Sequence, residues 1–101
     1  IVPLGADLPN FEPATLRHLG AYGAVSPALA DYDTFAVFSA FGTATGDSLL
    51  EIVDPYFYAA RLIQAKYIVN ATNDAFWLPD AAEFYFADLP GSNELLYLPN
   101  E

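Results

Sequence analysis

KYIVNATNDAFWLPD, residues 66–80, is the stretch on which the fold turns. Tyr67-Ile68-Val69 is short, apolar and partly β-branched, the composition of a strand buried on both faces. The run then breaks into Asn70-Ala71-Thr72-Asn73-Asp74. A carboxylate just past the carboxyl end of a buried strand lies where open parallel sheets gather their chemistry. Asp74 is therefore either a catalytic acid or the turn aspartate that closes a strand.

Working outward, Pro79-Asp80 opens "LPDAAEFYFADLPG", read as a helix over about 79–88. Asp80 and Glu83 stand at capping-box spacing, and Pro90-Gly91 ends the element. "NELLYLPN" follows, with Glu94–Leu98 as a second strand. A crossover of this length joins parallel strands. Two parallel strands do not stand alone, because such sheets need neighbours at their edges and cover on both faces.

Upstream the chain reads as mostly helical. Residues 1–11 hold Pro3, Gly5, Pro9 and Asn10 and read as an irregular lead-in. Glu12–Tyr22 reads as a helix with Pro13 in its first position and Gly23 at its end. A second helix is expected from Ser26-Pro27 through Phe41, with Phe35, Phe38 and Phe41 sharing a face. A third spans "SLLEIV", with Asp47 as its cap. Asp54-Pro55 is a start signal for "DPYFYAARL". The fold class is thus α/β, with residues 1–60 a lead-in and helical segment, cap-like or connecting. Residues 61–101 form a strand–helix–strand piece of a parallel sheet that is incomplete on its own.

Composition narrows the function classes. The 101 residues suffice for one small domain. Hydrophobic residues make up 54% and aromatics 16%, an apolar load suggesting that some of this surface belongs against other protein. No run approaches the roughly 18 apolar residues of a membrane span. No signal peptide is visible, and a start at Ile1 is read as a processed product, an excised piece or part of a longer chain. Three basic residues, Arg17, Arg61 and Lys66, oppose 13 carboxylates, for a formal net charge of −10. That balance repels nucleic acid. The acids are dispersed, without the spacing of a calcium loop, and there is no cysteine for a disulfide, a zinc ribbon or thiol catalysis. Neither metal nor cofactor is expected.

"DPYFYAARL", "KYIVNATNDAFWLPDAAEFYFADLPG" and "ELLYLPN", together with "LRHLGAYGAVSPALADY", resemble the PhoPQ-activated pathogenicity-related family from about Phe11 onward. The resemblance implies an α/β-hydrolase fold, similarity to serine dipeptidyl peptidases and a secreted location. It puts Asp74 where α/β hydrolases carry the triad acid, orienting the catalytic histidine. It puts the nucleophilic serine on an elbow upstream and the histidine shortly after Glu101. No Gly-x-Ser-x-Gly occurs here, and Ser26, Ser39, Ser48 and Ser92 lack the elbow context. The expectation is the C-terminal piece of a serine-type hydrolase of peptides or esters, completed by the rest of its polypeptide or by a partner chain. The alternative is a non-catalytic structural or interaction subunit that keeps a hydrolase-like core.

The remaining candidates have plainer readings. His18, the one histidine, is expected to be structural, because it lies on a helix ahead of the acid. Asn73 reads as a turn residue and Asp80 as an N-cap. Phe76 and Trp77 suit a pocket beside the acid or ordinary packing equally well. Asn70-Ala71-Thr72 is a formal glycosylation sequon, expected to be unmodified at the end of a buried strand. Tyr56 and Tyr58 read as packing residues with a polar tip.

Overall fold

The computed structural model describes residues 1–7 and 9–99. Its centre is a parallel pair of strands, β1 (Lys66–Ala71) and β2 (Asn93–Leu98), in register from Lys66 opposite Asn93 to Ala71 opposite Leu98. The parallel direction agrees with the crossover length. The lead-in, expected to be irregular, instead runs along the other edge of β1. Tyr67 N–H donates to Ile1 O, Val69 N–H to Pro3 O, and Gly5 N–H to Val69 O. Leu4 and Val69 form a parallel bridge. Pro3 lacks an N–H, but its carbonyl faces β1 and is all that this edge requires.

Among the described residues the sheet is covered on one face only. Ile68 and Asn70 point inward against Ala82, Tyr85 and Leu89. On the opposite face Tyr67, Leu96 and Leu98 are exposed. The expected burial on both faces therefore holds for one. The crossover also differs from the single helix that was expected. It consists of two 3₁₀ segments, Ala81–Phe84 and Phe86–Asp88, and Asp80 makes no side-chain cap. Its carboxylate instead pairs with Arg17 at 2.8 Å, and that partner outcompetes the local backbone.

The helical half packs on a second core of Phe11, Ala14, Leu29, Leu50, Trp77 and Ala81. Helix α1 runs Phe11–Tyr22, one residue earlier than expected, which places Pro13 in the first turn rather than at its first position. Its cap comes from far along the chain: Asp54 accepts from the N–H groups of Asn10 (3.0 Å) and Phe11 (2.7 Å). The same carboxylate accepts from Tyr56 N–H at 2.9 Å, starting the 3₁₀ segment Pro55–Arg61 as its Asp-Pro signal suggests. One buried carboxylate thus caps two elements.

The expected second helix is broken. It becomes a 3₁₀ turn at Pro27–Leu29, α2 at Ala30–Thr34 and another 3₁₀ turn at Phe38–Ala40. Ala36 at φ 58° marks the break. Phe38 and Phe41 still pack on Phe11, while Phe35 is exposed. Helix α3 spans Ala44–Val53, and its cap is Thr43 rather than Asp47, with Oγ1 accepting from Gly46 N–H at 3.1 Å.

Candidate functional site: the carboxyl ends of the strands

Past the carboxyl end of β1 the chain turns at Thr72–Ala75. Asp74 sits in this turn, half-buried. Its Oδ1 accepts from Phe76 N–H at 2.7 Å and Trp77 N–H at 3.1 Å, an Asx-type turn that aims the carboxylate. Its Oδ2 lies beside Gly5, 3.9 Å from the position a Cβ would take there. Gly5 has φ 58°, so a side chain at this point would strain the backbone next to the acid. Asn73 is an exposed turn residue.

An open pocket of about 350 Å³ adjoins Asp74, lined among others by His18, Tyr22, Ser26, Ala75 and Trp77. Trp77 serves both expected roles, meeting Phe11 edge-on at 5.4 Å in the core while bordering this pocket. Phe76 is exposed and only its backbone holds the acid. A larger apolar pocket of about 470 Å³ lies between Tyr32, Phe35, Leu49 and Val53. It does not reach Asp74.

His18 is structural in its contacts. It is 3% exposed, and its Nε2 accepts from Ser26 N–H at 3.1 Å. The neutral ring then carries its proton on Nδ1, which is buried without a bonded partner among the described residues. Burial holds its pKa below the usual value. A histidine whose Nε2 already accepts a main-chain N–H is not free to take a proton from a nucleophile. Ser26 is equally committed: its Oγ donates to Ala75 O at 2.6 Å, tying the end of the α1 loop to the acid turn.

Sequence reasoning missed one cluster beneath this site. Asp7 is 3% exposed, and its Oδ1 accepts from Asn70 Nδ2 at 2.6 Å and from the Tyr85 hydroxyl at 2.5 Å. Burial pushes the Asp7 carboxyl upward, the Tyr85 and Asn70 hydrogen bonds pull it back, and the Asp74 charge raises it again. Burial and then the Asp7 contact raise the Tyr85 hydroxyl as well. Asn70, the sequon residue, is 2% exposed with its amide engaged, so a glycan has no room there. The available signal was Asp7 following the apolar Ile1–Leu4, a strand-end acid disguised by Pro3 and Gly5.

Among the described residues no group of three His, Cys, Asp or Glu side chains is placed to hold a metal, and no helix is long and apolar enough to cross a membrane. The serine and histidine that the resemblance implies upstream of the chain and after Glu101 fall outside the described residues.

The family model described as PhoPQ-activated pathogenicity-related protein matches residues 1–101. Autocrine proliferation repressor protein A of Dictyostelium discoideum is 32% identical over 102 residues, an alignment covering 99% of this chain and 21% of that protein. The chain thus spans about a fifth of that relative's length. No solved structure matches it significantly. With a match that runs from the first residue to the last, this chain belongs to the PhoPQ-activated pathogenicity-related protein family.

Proposed function

We propose that this chain supplies the last strands of an α/β-hydrolase sheet and that Asp74 is the acid of a Ser-His-Asp system. The serine and histidine come from the remainder of the polypeptide or from a partner chain. The observation that carries the reading is the seat of Asp74, just beyond the carboxyl end of a central parallel strand, with Oδ1 anchored by two main-chain N–H groups. Oδ2 is the oxygen assigned to the histidine. There it would hold the imidazole in the correct tautomer and stabilise the imidazolium. The reaction would be acyl transfer from a peptide or ester to water. Residues 61–101 would be the core piece and residues 1–60 the connecting helical segment, with Ile1–Gly5 as a further strand of the same sheet. A secreted location belongs to the same reading, and the autocrine role in the relative's name accords with it.

A non-catalytic interaction subunit is the second reading. It is favoured by the regulatory name of the relative. The two separate in one experiment on the full-length protein. A fluorophosphonate probe should label one serine outside residues 1–101, and Asp74→Asn should slow that labelling by about 10⁴-fold, the effect of forcing the wrong histidine tautomer. Absence of labelling supports the interaction subunit. Full reactivity in Asp74→Asn would reduce Asp74 to a turn residue.

A further inference from the structure

Three separate pieces of chain converge behind the acid turn. The leading segment ends at Asp7, β1 nears its end at Asn70, and the crossover contributes Tyr85. All three side chains are almost fully buried, and Tyr85 is only 1% exposed. Each piece also adjoins Asp74, in sequence or in space. Asn70 precedes it by four residues, near the end of the strand that leads into its turn. Gly5, two residues before Asp7, lies beside its Oδ2. The crossover begins with Phe76 and Trp77, whose N–H groups hold its Oδ1.

We propose that Asp7 is the positioning residue for Asp74: its carboxylate pins the leading segment, the end of β1 and the crossover to one another, so the turn bearing the acid keeps a single orientation. This inference rests on the reading of Asp74 as the acid. The chemistry suits the task. A carboxylate accepts several hydrogen bonds at once, and charge-assisted bonds are short and directional. Asp7 spends Oδ1 on two donors from two other segments, which makes it a three-way joint rather than a reactive group. Loosening the joint releases Gly5 from one side of the acid and Phe76-Trp77 from the other. Asp7 itself touches no substrate and acts only through the turn.

The test is amide hydrogen exchange in the full-length protein, with fluorophosphonate labelling alongside. Asp7→Leu keeps the bulk of the side chain but removes the oxygen that accepts from Asn70 and Tyr85. Exchange at the Phe76 and Trp77 amides should quicken by about tenfold, the scale of one hydrogen bond to a charged group. Amides within α3 should not change. The swap Asp7→Asn with Asn70→Asp restores a donor and a carboxylate in reversed positions, and it should bring the exchange back. Leu29→Ala, which weakens the other core, is the control for destabilisation in general. Should Asp7→Leu fail to fold, Tyr85→Phe removes a single donor and should give a smaller shift at the same two amides. Unchanged exchange at Phe76 and Trp77, or a rise no more local than that of Leu29→Ala, overturns the proposal. Labelling should slow with the exchange and recover in the swap. Slowed labelling with unmoved exchange would make Asp7 a participant in the reaction and not a positioning residue. No labelling in the unmodified protein removes the hydrolase reading, while exchange still decides whether Asp7 holds the turn.

Discussion

Protonating His18 would break its bond from Ser26 N–H and place a charge in a nearly closed space. Burial accordingly holds the folded pKa below 6.5. The unfolded chain takes up a proton near 6.5 and the folded protein only at lower pH. The contribution of His18 to stability is complete above 6.5 and is lost as pH falls towards the lowered folded value. His18→Gln, whose amide oxygen reaches the place of Nε2, accepts from Ser26 without titrating. Denaturation midpoints of the full-length protein should therefore fall less steeply below pH 6.5 in this variant. Asp7 works in the opposite sense. Its folded pKa is raised above 3.8, so its contribution is greatest below 3.8 and declines as pH rises to the raised value. Asp80 is a milder case, because its ion pair with Arg17 is solvent-exposed on both sides. Asp80→Asn should shift stability by no more than about 0.5 kcal/mol in urea titrations.

At the scale of elements, the amino ends of the two strands are held by Lys66. Its ammonium is buried and shares its three N–H groups among the carbonyls of Leu62, Gln64 (2.8 Å) and Pro90 (2.9 Å) and the more distant Asn93 Oδ1 (3.2 Å). No carboxylate is bonded to it among the described residues, so carbonyl dipoles alone offset its desolvation. Lys66→Met fits the space but leaves several carbonyls unpaired, and should cost about 2–4 kcal/mol in chemical denaturation. Gly91 belongs to the same clasp. It has φ 84°, and a Cβ there would meet Ile63 O at 2.6 Å, so Gly91→Ala should destabilise by a similar amount. Asp54 joins α1 to the segment that follows α3, and Asp54→Ala should lower the thermal midpoint more than Thr43→Ala, which removes a single exposed cap. The strands and the Asp-Pro start were legible because local chemistry sets them: β-branched residues in one run, and a cap followed by proline. The Asp80 cap, the Ile1–Gly5 edge and the break at Ala36 were not. Each is decided by a partner distant in sequence or by a backbone angle that alanine rarely takes: Arg17 for Asp80, β1 for Ile1–Gly5, φ 58° for Ala36. The Asp74 turn was readable as a strand-end acid, whereas the Asp7 joint beneath it required knowing which strand ends meet.

At the scale of the whole molecule, the chain is a slab of 35 × 32 × 19 Å. Its thin dimension reflects a sheet with one layer of cover. The bare face presents Tyr67, Leu96 and Leu98, and Ile1, Val2 and Leu4 are exposed along the leading edge. Parallel sheets are stable when both faces and both edges are covered. The helical half gathers around a core of its own, centred on Phe11, that shares no residue with the cluster beneath the sheet. A formal charge of −10 adds self-repulsion and works against compaction. The 101 residues prepared alone as a dilute monomer should therefore lack a cooperative urea transition and should bind a hydrophobic dye. Salt should help them partially by screening the carboxylates, but it leaves the bare face open. On the reading proposed above, adding the remainder of the polypeptide or the partner chain that completes the sheet should restore a single sharp transition. A cooperative unfolding curve from the isolated chain, with a slope of about 1–3 kcal/mol/M as for a small folded domain, would show that one covered face and the two cores suffice. The exposed strand face would then no longer argue for a larger sheet.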